Sequence, residues 1–211
     1  MSRLLLWRHG RTEWNLESRA QGHADVELDE VGHQQAATAA EYLATLQPAA
    51  LWSSDLARAR QTAAYLERLT GLSAKLDERL REFDVGARQG MTLEEFAEQF
   101  PEEHDAWTDG DYSVAVPGAE DSADVRRRLR PALTEFLSSL GDGETGVVVT
   151  HGAALKVAVS LLLGWPAETE RQLRGVDNCA WATLEQRAGG RLRLVGYNES
   201  VRPGHDAPRM L

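Results

Sequence analysis

Short apolar runs alternate along the chain with stretches whose apolar positions recur at helical spacing, and glycine or proline marks many of the junctions. Arg3 to Trp7 reads as a buried strand that delivers Arg8, His9 and Gly10 at its carboxyl end, and a loop follows. Asp29 is placed to cap a helix running to about Leu46, with Val31, Ala36, Ala39, Ala40 and Leu43 on its apolar face. Leu51 and Trp52 suggest a second strand. Asp55 then opens a helix through Leu56, Ala59, Ala63, Leu66 and Leu69, which Gly71 can end in a left-handed conformation. A strand near Ala74 to Leu76 follows.

Thr92 and Glu95 have the spacing of a capping box for a short helix that carries Phe96 and ends before Pro101. Pro101 to Gly118 lacks clean periodicity and is expected to be a loop-rich excursion or lid. A long helix from about Ser122 to Leu140 contains Pro131, which removes one backbone hydrogen bond and is expected to kink it. Gly146 to Thr150 reads as a buried strand delivering His151 and Gly152 to an apolar helix, Ala153 to Leu163. Two last strands, Asn178 to Leu184 and Leu192 to Val195, are joined by a turn at Gly189 and Gly190. This order predicts an α/β fold: one domain over residues 1–211, a three-layer α/β/α sandwich with a mainly parallel central sheet and an antiparallel edge. In such sheets ligands gather at the carboxyl ends of strands, where both histidine-bearing turns fall.

Charge narrows the partners. The chain has 33 acidic and 23 basic residues, a formal charge of −10, which opposes a broad grip on nucleic acid or anionic membrane. Only Lys75 and Lys156 are lysine, so nearly all the cations are arginines, the side chain that forks onto phosphate oxygens. The longest largely apolar stretch, Val157 to Trp165, is too short for a membrane span, and no signal peptide is visible. Cys179 stands alone, so an internal disulfide is excluded and a reducing, cytoplasmic setting is expected. The six histidines show no ligand spacing, and neither a metal nor another cofactor is expected. His33 and His205 are expected at the surface.

The chemistry-bearing residues fall in four ordered motifs: RHGRTEWN from Arg8 to Asn15, SSDLARARQT from Ser53 to Thr62, LREFDVG from Leu80 to Gly86, and VTHG from Val149 to Gly152. Together they resemble the histidine phosphatase superfamily, also called the phosphoglycerate mutase-like family, over nearly the whole chain. The resemblance implies that His9 accepts a phosphoryl group, that Arg8, Arg58 and His151 form the phosphate pocket, and that Glu82 donates the proton. Asn15, Gln21 and Gly22 match a family stretch that curls over the phosphate, with Thr12 adding a hydroxyl, while Gly152 opens a helix whose backbone donors suit an oxyanion. Dimers are common in the family, so a homodimer is a further expectation.

Each role has a physical basis. A phosphoryl group in transfer spreads charge over three oxygens, which two arginines and a second histidine can surround. An imidazole attacks phosphorus when its other ring nitrogen donates to a backbone carbonyl. Glu82 can protonate the leaving alkoxide if a carboxylate-rich or desolvated setting suits it. By position alone Arg58 would face solvent and Glu82 would belong to a solvated charge cluster; the motifs raise both to functional candidates.

The expected activity is hydrolysis of a small phosphorylated metabolite, a phosphoglycerate derivative or sugar phosphate, through phosphohistidine. Alternatives are a cofactor-dependent phosphoglycerate mutase and a noncatalytic phospholigand-binding module. Family mutases carry a longer, basic insertion between the acid and the second histidine, whereas here Pro101 to Gly118 is rich in acidic residues. Arg11 and Arg88 depart from the family pattern and, with Trp14, His23 and the 101–118 segment, are expected at the pocket mouth, where an added arginine favours a second negative charge on the substrate.

Overall fold

The computed structural model describes residues 2–109, 114, 116–187 and 189–201. In chain order the elements are β1 (Arg3–Arg8), α1 (Glu13–Leu16), α2 (Glu30–Thr45), β2 (Ala50–Ser53), α3 (Ala57–Thr70), β3 (Lys75–Leu76), α4 (Leu93–Gln99), α5 (Pro101–Thr108), α6 (Ser122–Ser138), β4 (Thr145–Thr150), α7 (Gly152–Leu162), β5 (Trp181–Gln186) and β6 (Leu192–Glu199). The strands form one sheet in the order β3-β2-β4-β1-β5-β6. β3, β2, β4 and β1 are parallel, and β5 and β6 complete the sheet antiparallel.

Both faces of this sheet are covered, which is why its central strands read as unbroken apolar runs. Side chains alternate along β1: Leu4 and Leu6 enter the core beneath α6 and α7, and Leu5 and Trp7 enter the core beneath α2 and α3. The expected three layers follow from that alternation. Among the described residues no helix is long and apolar enough to cross a membrane.

β1 and β4 are neighbours in register, Arg8 opposite Thr150. The chain leaving β1 turns to the α2 face, whereas the chain leaving β4 enters α7 on the other face. Two parallel strands whose connections part to opposite faces leave a crevice at their carboxyl ends. His9 and His151 are the first residues into it, and the His9 amide still donates to the Thr150 carbonyl (3.0 Å).

Several local expectations are met: Asp29 caps α2 through the Gly32 amide (2.6 Å), Thr92 and Glu95 form their capping box, and Gly71 ends α3 with φ +75°. Others are corrected. Asp55 does not cap α3; its carboxylate is paired with Arg81, and Asp25 accepts from the Ala57 amide (2.5 Å) instead. Pro101–Thr108 is helical, not loop, with Pro101 at its start and Glu102 and Glu103 in its first turn. Its periodicity is faint because α5 buries no residue fully; His104 and Trp107 meet Phe96 by their ring edges, and Trp107 also stacks on Arg88. The loop expected after β1 contains the one-turn α1, capped by Thr12 and Asn15. The first antiparallel strand begins at Trp181, not Asn178, because Cys179 takes φ +58° in a turn. Val31 and Leu69 are exposed, and His33 is half-buried against the Tyr65 hydroxyl (3.1 Å). His205, residues 110–113 and residue 115 of the anticipated lid lie outside the described residues.

Candidate active site

His9 is buried at the end of β1, with Nδ1 2.7 Å from the Gly10 carbonyl oxygen. A carbonyl only accepts, so the neutral ring carries its proton on Nδ1 and its lone pair on Nε2. The His151 ring lies beside it, 5.1 Å between centroids. Arg58 Nε donates to His151 Nδ1 (3.2 Å), so His151 carries its proton on Nε2 and donates it to the Ser54 hydroxyl (2.8 Å).

Arg58, on the first turn of α3, is 1% exposed. Its remaining contacts are with the carbonyls of Ala24 (2.7 Å) and Gly22 (2.8 Å), so three of its five N–H groups are engaged and its head is held rigidly. Arg8 donates to the Val176 carbonyl (2.5 Å), and its buried Nε has no protein partner among the described residues. Gly152 lets Arg8 pass: a Cβ there would lie 3.3 Å from Arg8 Nε.

Glu82, with Asp84 and Glu120, lines the cavity at this crevice. Its oxygens accept from the amides of Ala153 (3.0 Å) and Ala154 (2.9 Å) at the start of α7, and from the Phe83 amide (3.0 Å). These α7 donors therefore hold Glu82, where the sequence suggested that they would face an oxyanion of the substrate. Asn15 Oδ1 accepts from the Thr12 amide and hydroxyl (3.2 Å each) and from Asn178 Nδ2 (3.1 Å), leaving the Asn15 amide –NH2 to face the cavity. Gln21 lines the same cavity with a buried Oε1 that has no partner among the described residues. Gly22 also lines it, in a left-handed conformation (φ +50°), and its carbonyl secures Arg58.

The cavity has a volume of about 470 Å³ and is lined by Arg8, His9, Arg58 and Glu82 together with Arg88, Phe96 and Trp107. A model of the histidine phosphatase superfamily (branch 1) matches residues 4–200. The chain belongs to the histidine phosphatase superfamily. It is similar to a glucosyl-3-phosphoglycerate phosphatase of Mycolicibacterium vanbaalenii, with 38% identity covering 97% of each chain. It is also similar to a protein of Erwinia tasmaniensis named "Probable phosphoglycerate mutase GpmB", with 36% identity over 88% of this chain and 85% of that one. A solved mycobacterial glucosyl-3-phosphoglycerate phosphatase in complex with VO3 superposes with a TM-score of 0.88 at 38% identity, covering 94% of this chain and 99% of that one.

Burial and the neighbouring Arg58 guanidinium hold both His9 and His151 well below the ordinary histidine range in this histidine phosphatase. Burial also lowers Arg8, and brings Arg58 down to about 10, against the opposing pull of Glu82. Two neutral imidazoles beside two arginines form a cationic, proton-poor pocket suited to a phosphate dianion.

Five residues expected at the pocket are not on the cavity wall: Arg11, Thr12, Trp14, His23 and His151, the last fully buried beside His9. Arg11 is paired with the cap residue Asp29 (2.7 Å), the Thr12 hydroxyl is engaged by Asn15, and Trp14 packs near Gly90 outside the cavity. His23 instead reaches the backbone of Glu82, with Nε2 2.9 Å from its carbonyl. Arg88 does line the cavity, clasped between the rings of Phe96 and Trp107 at 4.3 Å from each. Sequence reasoning missed Asn178, Lys156 and Val176, which also belong to the site or its supports; no local pattern marks them. Among the described residues no group of three or more histidine, cysteine, aspartate or glutamate side chains could hold a metal.

Proposed function

We propose that the protein hydrolyses a small phosphomonoester through a phosphohistidine on His9. The observation that carries this reading is the contact between His9 Nδ1 and the Gly10 carbonyl, which turns the lone pair of a buried, neutral imidazole onto Nε2. In the first step Nε2 bonds to phosphorus as the ester P–O bond breaks, and the leaving alkoxide takes its proton from the Glu82 carboxyl group. In the second, Glu82 takes a proton from water, the water oxygen bonds to phosphorus, and the N–P bond breaks to release phosphate. Arg8, Arg58 and Asn15 surround the phosphoryl oxygens, with Gln21, Gly22 and the start of α7 at Gly152 completing the pocket, while His151, its ring nitrogens engaged by Arg58 and Ser54, braces the Arg58 guanidinium.

The cavity is roomy enough for a substrate larger than phosphate, and the fixed cation of Arg88 favours one with a second anionic group. A phosphoglycerate derivative or sugar phosphate meets both conditions, and the names of the relatives support the same class. To this reading belong a cytoplasmic setting and no binding of nucleic acid, from the single cysteine and the charge of −10. The homodimer common in the family is tested by sedimentation.

The decisive experiment is rapid quench with a labelled phosphomonoester. Wild type is expected to give an acid-labile, base-stable adduct; His9→Ala is expected to give none and to lose turnover by several orders of magnitude. An adduct that persists without His9 overturns the mechanism. The GpmB relatives keep a mutase as the second reading. It predicts stimulation by 2,3-bisphosphoglycerate and, in an enolase-coupled assay, isomerisation of phosphoglycerate faster than phosphate release. A noncatalytic phospholigand module predicts no release of phosphate from p-nitrophenyl phosphate.

A further inference from the structure

The segment that carries Glu82 has neither helix nor strand from Arg81 to Asp84. Its backbone polar groups must therefore find partners outside regular structure. The Leu80 carbonyl accepts from the Thr150 hydroxyl at the end of β4 (2.8 Å). The carbonyls of Arg79 (3.0 Å), Arg81 (2.7 Å) and Glu82 (2.7 Å) all accept from the guanidinium of Arg128, on α6. Glu120 holds that guanidinium from the other side, with Oε1 and Oε2 each 2.8 Å from it, and its Oε2 also accepts from the Asp84 amide (2.9 Å). The Glu120 amide in turn donates to the Asp84 carbonyl (2.9 Å).

A guanidinium has five N–H groups, and Arg128 directs one at each of these five acceptor contacts. None is left for a substrate, so this arginine is a clamp and not a phosphate ligand. Its fork spans three carbonyls within four residues, a geometry that the three donors of an ammonium cannot reproduce. The clamp matters for chemistry because a Glu82 oxygen accepts from the amide of the very next residue, Phe83 (3.0 Å). The direction of that backbone, together with the Ala153 and Ala154 amides of α7, thus sets where the carboxyl group lies.

We infer that Arg128, braced by Glu120, is the positioning residue for Glu82: it holds the acid-bearing segment so that the carboxyl group meets the leaving oxygen. The inference rests on the proposed hydrolytic role of Glu82. It predicts that loss of Arg128 imitates loss of Glu82, selectively harming esters whose leaving group needs a proton.

The test compares kcat/KM for glycerol phosphate with that for p-nitrophenyl phosphate in wild type, Glu82→Gln, Arg128→Met, Arg128→Lys, Glu120→Gln and the Glu82→Gln/Arg128→Met double variant. Arg128→Met is expected to lower the alkyl-to-aryl ratio about tenfold or more, with Arg128→Lys and Glu120→Gln in between. The double variant is expected to keep the ratio of Glu82→Gln alone, because a misplaced group that is already absent cannot be misplaced further. If Arg128→Met does not fold, the lysine and Glu120→Gln variants carry the same comparison. Equal losses on both esters, or a further change of ratio in the double variant, overturn the inference. If Glu82→Gln itself leaves the ratio unchanged, the acid role falls and the inference with it. If Glu82→Gln moves the ratio and none of the Arg128 or Glu120 variants does, the positioning role alone falls.

Discussion

His9 and His151 are ring neighbours, 5.1 Å between centroids, and Arg58 lies close enough to disfavour a proton on either. Both imidazoles are therefore neutral well below the pH at which a solvated histidine protonates. The acid limb of kcat/KM is expected below the ordinary histidine value of about 6.5. A pH–rate profile on p-nitrophenyl phosphate, whose leaving group needs little protonation, checks this; an acid limb at or above that value contradicts it.

The same depression links stability to pH. Below about 6.5 the unfolded chain binds protons at these two positions that the native state refuses, so stability falls as pH falls through that range. Two such groups give a slope of up to about 2.7 kcal/mol per pH unit until the native histidines protonate. Urea midpoints measured at pH 7.5 and 5.5 are expected to differ in that direction. A higher midpoint at pH 5.5 would sink the assignment of both rings as neutral.

Gly10→Ala is expected to damage both fold and activity. A Cβ at Gly10 would lie 2.5 Å from the Gly32 carbonyl oxygen on α2, and backbone cannot swing aside as a flexible side chain can. This close approach explains the glycine. Overpacking of this kind costs about 1–3 kcal/mol, read as a drop in Tm, and relief by a shift of the loop displaces His9. An unchanged Tm and kcat would contradict the packing argument.

Arg88 offers a test of substrate class. Arg88→Leu removes the cation clasped by Phe96 and Trp107, and Trp107→Ala loosens it. Each is expected to lower kcat/KM for a phosphoglycerate about tenfold relative to glycerol phosphate, which lacks the carboxylate. A substrate panel that shows no change in this ratio would place the second anionic group elsewhere.

Hydrolysis is expected to survive dialysis against EDTA, because Arg8 and Arg58 supply the positive charge around the phosphoryl group. Loss of turnover that magnesium or zinc restores would require a different mechanism.

Local features were legible in the order of residues alone. The apolar runs before Arg8 and before His151 mark strands buried on both faces, and Asp29, Thr92 and Gly71 mark helix ends through bonds that span a few residues. The four motifs supplied the family and the identities of His9, Arg8, Arg58, His151 and Glu82, and the structure gathers those residues around one crevice. How distant groups satisfy one another emerges only from the folded chain. Arg58 looks like a surface residue until His151, 93 positions away, accepts from its Nε. Glu82 looks like part of a solvated charge run until the start of α7 and Arg128 hold its side chain and backbone. Helix α5 escaped notice because it has no buried stripe of its own and meets the fold through His104 and Trp107 on Phe96 and Arg88. Periodicity records which face of a segment is buried, but it carries no record of the far partner, and in this site the far partner sets each side chain's direction and charge.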